Sequence, residues 1–359
     1  MQVQLRSRET YRHIVVNRDR MEQVMEELKS SSVMVAGGAG FVGSAIVRDL
    51  LKRDCQVVSY DNYLHGCPEN LQGLKGPLTV VNGDLLDTWK LVRIINEHKI
   101  KYIIDCAGDT YVPTGYELPQ RFFDVNLQAT FDLLMAAKLC GVERMVYVSS
   151  TEVYGQTTSA EIAEDAPLNP LNTYAVSKLA ADRLCFTFFI EHHIPVIIAR
   201  IFNCYGPRET HPYIVPEIIS QLNKGSTITL GNIKSQRDLT YITDTARALI
   251  SILTSDIPNG EAVNVGSGTM HRIDSLVYLI AEIMGLGEVQ IIQDPRRFRR
   301  LDIESFLCDN KKLRHYTDWM PKVDIKEGLR QTVAWFKKNG CRWSWETSTR
   351  DVLFDTKVT

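Results

Sequence analysis

Two stretches of this 359-residue chain carry side chains suited to moving protons. In "SSTEVYG", residues 149–155, Ser150, Thr151 and Glu152 put two hydroxyls and a carboxylate side by side after the strand-like run "ERMVYVSS". In "TYAVSKLAADRL", Tyr174 and Lys178 stand four apart, on one face of a predicted helix. A phenol has an ordinary pKa of about 10 and is a poor base at neutral pH. A neighbouring ammonium favours the phenolate, which lets Tyr174 take a proton from a substrate hydroxyl while Ser150 holds the same oxygen. Taken singly, each stretch also reads as something plainer: a solvated turn, or the surface of a helix. Whether Glu152 serves solvent or chemistry depends on what surrounds it.

A third stretch supplies a place for a cofactor. "VMVAGGAGFVGSAIV" spaces Gly37, Gly40 and Gly43 as G-x-x-G-x-x-G between a strand and a helix. Small residues there let the backbone approach a pyrophosphate, which sits at the positive helix N-terminus. Asp61 ends the next strand, 18 residues after Gly43, where a carboxylate accepts hydrogen bonds from adenosine ribose hydroxyls. An acid at that point repels a 2′-phosphate, so NAD is expected rather than NADP. Asp84, in "NGDLLD", lies at the same edge of the sheet.

The elements that must position these groups emerge from periodicity. "VMVAGG", "QVVSYD", "LTVVNGD", "KYIIDCAG", "RMVYVSS" and "PVIIAR" are short apolar strands, separated by the amphipathic runs "FVGSAIVRDLLKRD", "TWKLVRIINEHK", "FDVNLQATFDLLMAAKLCG" and "TYAVSKLAADRLCFTFFIEH". Such alternation predicts an α/β fold with a doubly wound parallel sheet. Residues 32–203 are expected to form the cofactor-binding domain. Beyond about 204 the texture turns to loops and shorter helices, "VPEIISQLNKG" and "IDSLVYLIAEIMG". A smaller α/β substrate-binding region over 204–340 is expected, with the chain returning to the first domain around 236–265. Residues 1–31 read as an extension with one helix around "RDRMEQVMEELKS", which either packs on a partner subunit or frays; 341–359 read as a tail.

Composition narrows the class. Apolar residues make up 44% and charged residues 23%, and the net charge is −2, which gives no general reason to expect nucleic acid or membrane binding. No apolar run reaches the roughly 18 residues of a membrane span, and residues 1–31 lack a signal-peptide apolar core. The 8 cysteines include no C-x-x-C pair and no Cys/His cluster at metal spacing, so no metal is expected and a reduced cytoplasm is. His192, His193 and His211 read as helix-end or loop residues.

From about residue 32 to 337 the chain resembles the extended short-chain dehydrogenase/reductase family, in its nucleotide-sugar epimerase/dehydratase branch. The resemblance rests on "GGAGFVGS", "DN" at 61–62, "GDLLD", "SSTEVYG", "NPLNTYAVSK", "ARIFNCYGPRE", "SQRDLTYITD", "VNVGSG" and "RRLDIESFLCD". It implies a Rossmann fold with NAD held by Gly37, Gly40, Phe41, Val42, Gly43, Asp61, Asn62, Asp84, Leu85 and Ala107, with Tyr174 and Lys178 at the reacting end. It implies a nucleotide diphosphate-sugar substrate held by Asn203 and Arg237, with Arg299 on phosphate, Asp302 at the nucleotide ribose, and Val215 and Pro216 along the base. It also implies a homodimer through a four-helix interface formed by 121–140 and 173–192, to which "FTFFIEH" brings extra apolar surface. Two positions depart from the pattern: "DCAGDTYV" stands where relatives have a His and two Ala, and Arg300 replaces a Pro in "RRLD".

The branch shares a first step, oxidation of the sugar at C4 with Tyr174 as base, and its members diverge in the second. Relatives that perform elimination resemble this chain in placing Glu two residues after the hydroxyl corresponding to Ser150. The expected reaction is therefore a 4,6-dehydratase-type elimination with Glu152 as base, its pKa raised in a partly dry pocket. A 4-epimerase using Tyr174 and Ser150 only, with Glu152 as a supporting residue, and a uronate decarboxylase are the alternatives; a non-catalytic NAD-binding protein is a distant one. Thr151 departs from the Asp of dehydratases acting on deoxythymidine-linked glucose, and resembles the Ser of those acting on GDP-mannose and of the decarboxylases.

Overall fold

Strands buried on both faces run as unbroken apolar stretches rather than alternating ones, and β1 (Ser32–Ala36) is buried at every residue. The structure, a computed structural model, describes residues 24–26, 28–157, 159–298 and 303–340. After β1 come α1 (Phe41–Lys52), β2 (Gln56–Asp61), β3 (Leu78–Asn82), α2 (Thr88–Glu97), β4 (Ile100–Asp105), α3 (Ala129–Cys140), β5 (Arg144–Ser150), α4 (Thr173–His192) and β6 (Val196–Ile201). A strand far along the chain, β10 (Ala262–Val265), completes a seven-stranded sheet in the order β10-β6-β5-β4-β1-β2-β3. All neighbours are parallel. The order reverses between β1 and β4, and a crevice at such a switch point is where α/β sheets bind ligands.

Side chains that alternate along β1 feed two separate cores. Val33 and Val35 join Ile46 and Leu50 of α1 and Leu249 and Leu253 of α6 (Ile242–Leu253) on one face. Met34 and Ala36 join Leu91, Leu133, Tyr147 and Phe188 on the other. The remaining elements form a smaller lobe: β7 (Asn203–Tyr205), α5 (Ile214–Leu222), β8 (Thr227–Leu230), β9 (Gln236–Tyr241), β11 (Met270–Arg272), α7 (Ile273–Met284), β12 (Gln290–Gln293), β13 (Ser305–Phe306) and α8 (Ile325–Asn339). There β9 pairs with β7, β11 and β13, and β8 pairs with β12. Their core holds Ile218, Leu276, Ile280, Val333 and Phe336.

Two polar clamps fix the ends of the strands that border the crevice. Arg200 of β6 pairs with the fully buried Asp182 of α4 at 2.9 Å, Asp182 accepts from Ser149 Oγ at 3.1 Å, and Arg200 Nη1 donates to Tyr154 OH at 3.0 Å. Tyr154 in turn donates to Asn264 Oδ1 at 2.7 Å. The end of β5 is thereby tied to β6, α4 and β10; breaking such a buried pair costs about 3–5 kcal/mol. The second clamp corrects the helix expected over 123–141. Phe123–Gln128 is π-helical and only Ala129–Cys140 is α-helical. Asn126, buried in the π turn, accepts from Asp109 N and donates to Asp109 O, both at 2.9 Å, and to Ser177 Oγ at 3.0 Å. The extra residue in that turn aims the amide at the β4 loop, and π turns often sit at functional sites.

Of the expected N-terminal helix, residues 24–26 and 28–30 are helical; the rest of it, and the tail 341–359, lie outside the described residues.

Candidate active site

The crevice at the switch point is built first by backbone. Gly37 leaves β1 with φ +70, and a Cβ there would lie 2.9 Å from Ala107. Gly40 is the N-cap residue of α1. A Cβ on Gly43 would come within 2.1 Å of Gly37 O, so only glycine lets the helix press against the turn. The result is a bare helix N-terminus with no acidic side chain in its first turn, a cradle that fits a diphosphate through amides and helix dipole. Beside it, a pocket between the ends of β2, β3 and β4 is lined by Asp61, Asn62, Asp84, Leu85 and Ala107 together with Gly37 and Gly40. Asp61 is held in place by Ala39 N at 2.9 Å and Tyr63 N at 2.8 Å. Asn62 donates to Asp84 Oδ2 at 2.9 Å. Each carboxylate keeps acceptor capacity beyond these bonds, which suits the ribose hydroxyls of a dinucleotide. Phe41, Val42 and Gly43 line the larger cleft that opens next to this pocket.

The proton-moving groups meet in that larger cleft. Ser150 ends β5, and its Oγ accepts from Glu152 N at 3.2 Å, capping the short 3₁₀ turn Thr151–Tyr154. Asn172 caps α4 by accepting from Ala175 N and uses its amide to donate to Glu152 Oε2 at 3.1 Å. Ser150, Thr151, Glu152 and Tyr174 all line the cleft. Tyr174 packs edge-on against Phe122, with ring centroids 5.7 Å apart. Burial pushes its phenol up, a hydrogen bond with Ser150 pulls it down, and the Glu152 charge raises it again. Thr151 Oγ1 is buried without a partner among the described residues, an orphan that a bound substrate would satisfy.

Lys178, the ammonium expected to act on the phenol, lies on the same helix as Tyr174. It is buried beneath the cleft, donates to Val148 O at 2.6 Å and lies 4.4 Å from the Tyr147 ring centroid. Burial lowers it to about 8, opposed first by the charge of Asp105. Asp105 ends β4. It is itself pushed up to about 6 by burial, with Lys178 pulling the other way.

At the substrate end Asn203, Val215 and Arg237 line the cleft, and Asn203 Oδ1 is buried without a partner among the described residues. Pro216 lies buried in α5 and does not line it. Arg299 and Asp302 lie outside the described residues. From the same arginine run it is Arg297 that reaches the cleft, paired with Glu217 at 3.2 Å. Sequence reasoning also missed the loop "GPRETHPY", which supplies Glu209, Thr210, His211 and Tyr213 to the wall. Tyr213 OH lies 2.8 Å from both Thr110 O and Thr110 Oγ1. Nothing in local spacing marks these residues; only the fold carries them across.

His65, Asp109 and His211 offer ligand atoms within 4.8 Å of one another. The guanidinium of Arg121 reaches into this group, 2.7 Å from Asp109 Oδ2 and 2.7 Å from His65 Nε2. A cation already takes the charge a metal would bring, and we read the cluster as a structural ion network. Burial, then the His65 charge, lowers His211 to about 4.

Residues 34–332 match the family model described as GDP-mannose 4,6 dehydratase. The dTDP-D-glucose 4,6-dehydratase of Mus musculus is 30% identical over 322 residues, covering 87% of this chain and 90% of its own length. Among solved structures, the dTDP-glucose 4,6-dehydratase of Streptomyces venezuelae with NAD bound superposes with a TM-score of 0.80 at 28% identity, over 87% of this chain and 99% of that one. The UDP-N-acetylglucosamine 4-epimerase of Methanobrevibacter ruminantium M1 does so with a TM-score of 0.78 at 30% identity, over 86% and 98%. The chain belongs to the GDP-mannose 4,6-dehydratase family, among the nucleotide-sugar dehydratases and epimerases of the extended short-chain dehydrogenase/reductases.

Proposed function

We propose that this protein oxidises a nucleotide diphosphate-sugar to a transient 4-keto sugar and then eliminates across C5 and C6, as a 4,6-dehydratase. The observation that carries the reading is the position of Glu152: a carboxylate on the same wall as Tyr174, held by Asn172 and by the Ser150 cap. Bound NAD would supply the acceptor for the C4 hydride and return that hydride to C6 after water has left, which closes the redox balance at the 4-keto-6-deoxy sugar. Tyr174 takes the C4 hydroxyl proton, and Ser150 holds the same oxygen. Lys178 and Asp105, buried behind β5, fix the floor under the phenol. Once C4 is a carbonyl the C5 proton is acidified, and Glu152 is placed to remove it and to protonate the leaving C6 hydroxyl, with Thr151 Oγ1 as a hydrogen-bonding partner. Gly37, Gly40, Phe41, Val42, Gly43, Asp61, Asn62, Asp84, Leu85 and Ala107 hold the cofactor in this reading. Asn203, Arg237 and Arg297 hold the diphosphate, and Val215 the base. Guanidinium forks match a diphosphate in charge and shape.

Thr151 favours a second reading, because no acid stands there to protonate a departing hydroxyl beside Glu152. A 4-epimerase or a uronate decarboxylase needs no such acid. Product analysis by NMR after incubation with nucleotide sugars in D2O separates the three. A 4-keto-6-deoxy sugar with deuterium at C5 is the expected result. A C4-inverted sugar without solvent deuterium would leave the epimerase, and loss of C6 as carbon dioxide the decarboxylase.

Residues 32–203 with β10 serve in this scheme as the cofactor unit, and 204–340 mainly as the substrate unit. The protein is further inferred to be a cytoplasmic homodimer. The 7 described cysteines are all free, and no described helix is long and apolar enough to cross a membrane. Leu139 of α3 and Phe186 and Ile190 of α4 are exposed at 59%, 39% and 55%, an apolar face that a four-helix interface would cover. Light scattering of wild type and Ile190→Glu tests this: a dimer should become a monomer.

A further inference from the structure

A second cavity, of about 280 Å³, opens behind the catalytic cleft between α1, the turn at 67–72, the segment 208–210 and α8. Glu209 and Thr210 line both cavities and form the wall between them, and no glycine of the cofactor turn lines the second. Arg48 and Arg208 face into it. One Arg48 nitrogen, Nη2, donates to Asn70 O, while Nε is buried with no partner among the described residues. Arg208 stands 5.9 Å from the Trp335 ring centroid. Its φ is +72, a left-handed conformation that is unfavourable for an L-residue and that tends to persist where a function holds it.

Among the described residues, no ion pair joins either guanidinium to a carboxylate. Burial and then the charge of Arg208 lower Arg48 to about 10, and burial lowers Arg208 as well. Glu69 also lines the cavity and has a partner of its own. Glu209 is pushed well above the usual carboxylate range by burial, and its Oε2 has no partner among the described residues. The cavity continues into a groove that shares Arg48, Arg208 and Trp335 and adds Lys52, Lys75, Lys322 and Lys338. The acids of that groove, Asp49 and Asp244, already pair with Arg53 and Arg247. Like charges gathered at low dielectric are unfavourable until an anion joins them.

We propose that the Arg48–Arg208 cavity is a second anion site, separate from the catalytic cleft, that takes the phosphoryl or diphosphate group of a small molecule. Its volume falls just short of the roughly 300 Å³ at which sites for drug-sized ligands begin, which suits the phosphate end of a ligand whose remainder lies along the lysine groove. Two guanidinium forks lining one cavity are suited to such a group.

Calorimetric titration of the full-length, NAD-saturated protein with inorganic pyrophosphate at low ionic strength tests the site. One component of the binding should weaken at least ten-fold in Arg48→Gln and in Arg208→Gln and persist in Arg237→Gln, whose guanidinium holds diphosphate in the catalytic cleft. Loss in Arg237→Gln alone would assign the pyrophosphate to that cleft and overturn the proposal. Equal binding in all variants, or none in wild type, would overturn it too. Arg208→Gly guards against a misfolded variant, because it also relieves the positive φ. Pyrophosphate should raise the melting temperature of wild type and not of Arg208→Gly; an equal rise in both sinks the idea.

Discussion

The cofactor half and the substrate half of the cleft are made in different ways. The cofactor half is mostly backbone: a glycine turn and a bare helix N-terminus, joined by carboxylates at and just beyond two consecutive strand ends, all within residues 37–107. The substrate half is side chain, drawn from segments as distant as Asn203, Tyr213, Arg237 and Arg297. Backbone geometry tolerates almost no substitution at its few contact points, whereas a side-chain wall can be rebuilt one residue at a time. That contrast gives each half its own expected kinetic signature, with the catalytic groups between them.

The largest effect is expected at the junction. Tyr174→Phe should lower kcat by roughly 10²–10⁴-fold and leave NAD affinity unchanged by fluorescence titration. A change in NAD affinity alone would put Tyr174 in the cofactor half. Glu152→Gln should lower product formation by about 10²-fold or more while reduction of bound cofactor, read by absorbance, still occurs. Continued C5 deuterium exchange in that variant would remove Glu152 from the base role.

Within the halves the expected effects are smaller. Gly43→Ala drives a Cβ into Gly37 O; overpacking of this kind costs about 1–3 kcal/mol, so cofactor affinity should fall roughly ten- to hundred-fold. Arg297→Gln should raise KM by about ten-fold, the equivalent of 1.4 kcal/mol, with kcat unchanged. A matching fall in kcat would show that the substrate wall also shapes the transition state.

A separate effect, on acid stability and not on turnover, lies in the substrate wall. His211 has a folded pKa of about 4 against an ordinary 6.5, so the unfolded chain takes up a proton first as pH falls. The stability at stake is present above pH 6.5 and is lost progressively down to pH 4, at most about 3 kcal/mol. His211→Gln should flatten that part of the pH-dependence of urea unfolding.

Much of this molecule was legible before folding. β2 and α4 match the runs "QVVSYD" and "TYAVSKLAADRLCFTFFIEH" at both ends, because burial on one side and strand or helix periodicity on the other leave no competing register. The helix expected over 123–141 was legible only in its second half. Its first half is recast by Asn126, which answers to Asp109 and Ser177 rather than to helix propensity. The same distinction separates the sites. Asp61 lies one strand beyond the glycine turn, so spacing finds it. Glu209 and His211 sit in a loop with no period, and only the packing of that loop against the sheet brings them to the cleft.

What the sequence by itself determined is the parallel sheet, the cofactor turn and the order of Ser150, Glu152, Tyr174 and Lys178, since each depends on neighbours a few residues away. Tertiary structure alone decided that Lys178 turns to Val148 and Asp105, that Arg297 enters the cleft, and that Arg48 and Arg208 converge 160 positions apart. These are contacts between segments whose spacing in the chain carries no period. Their energies come from burial and charge, which exist only once the segments have packed against one another.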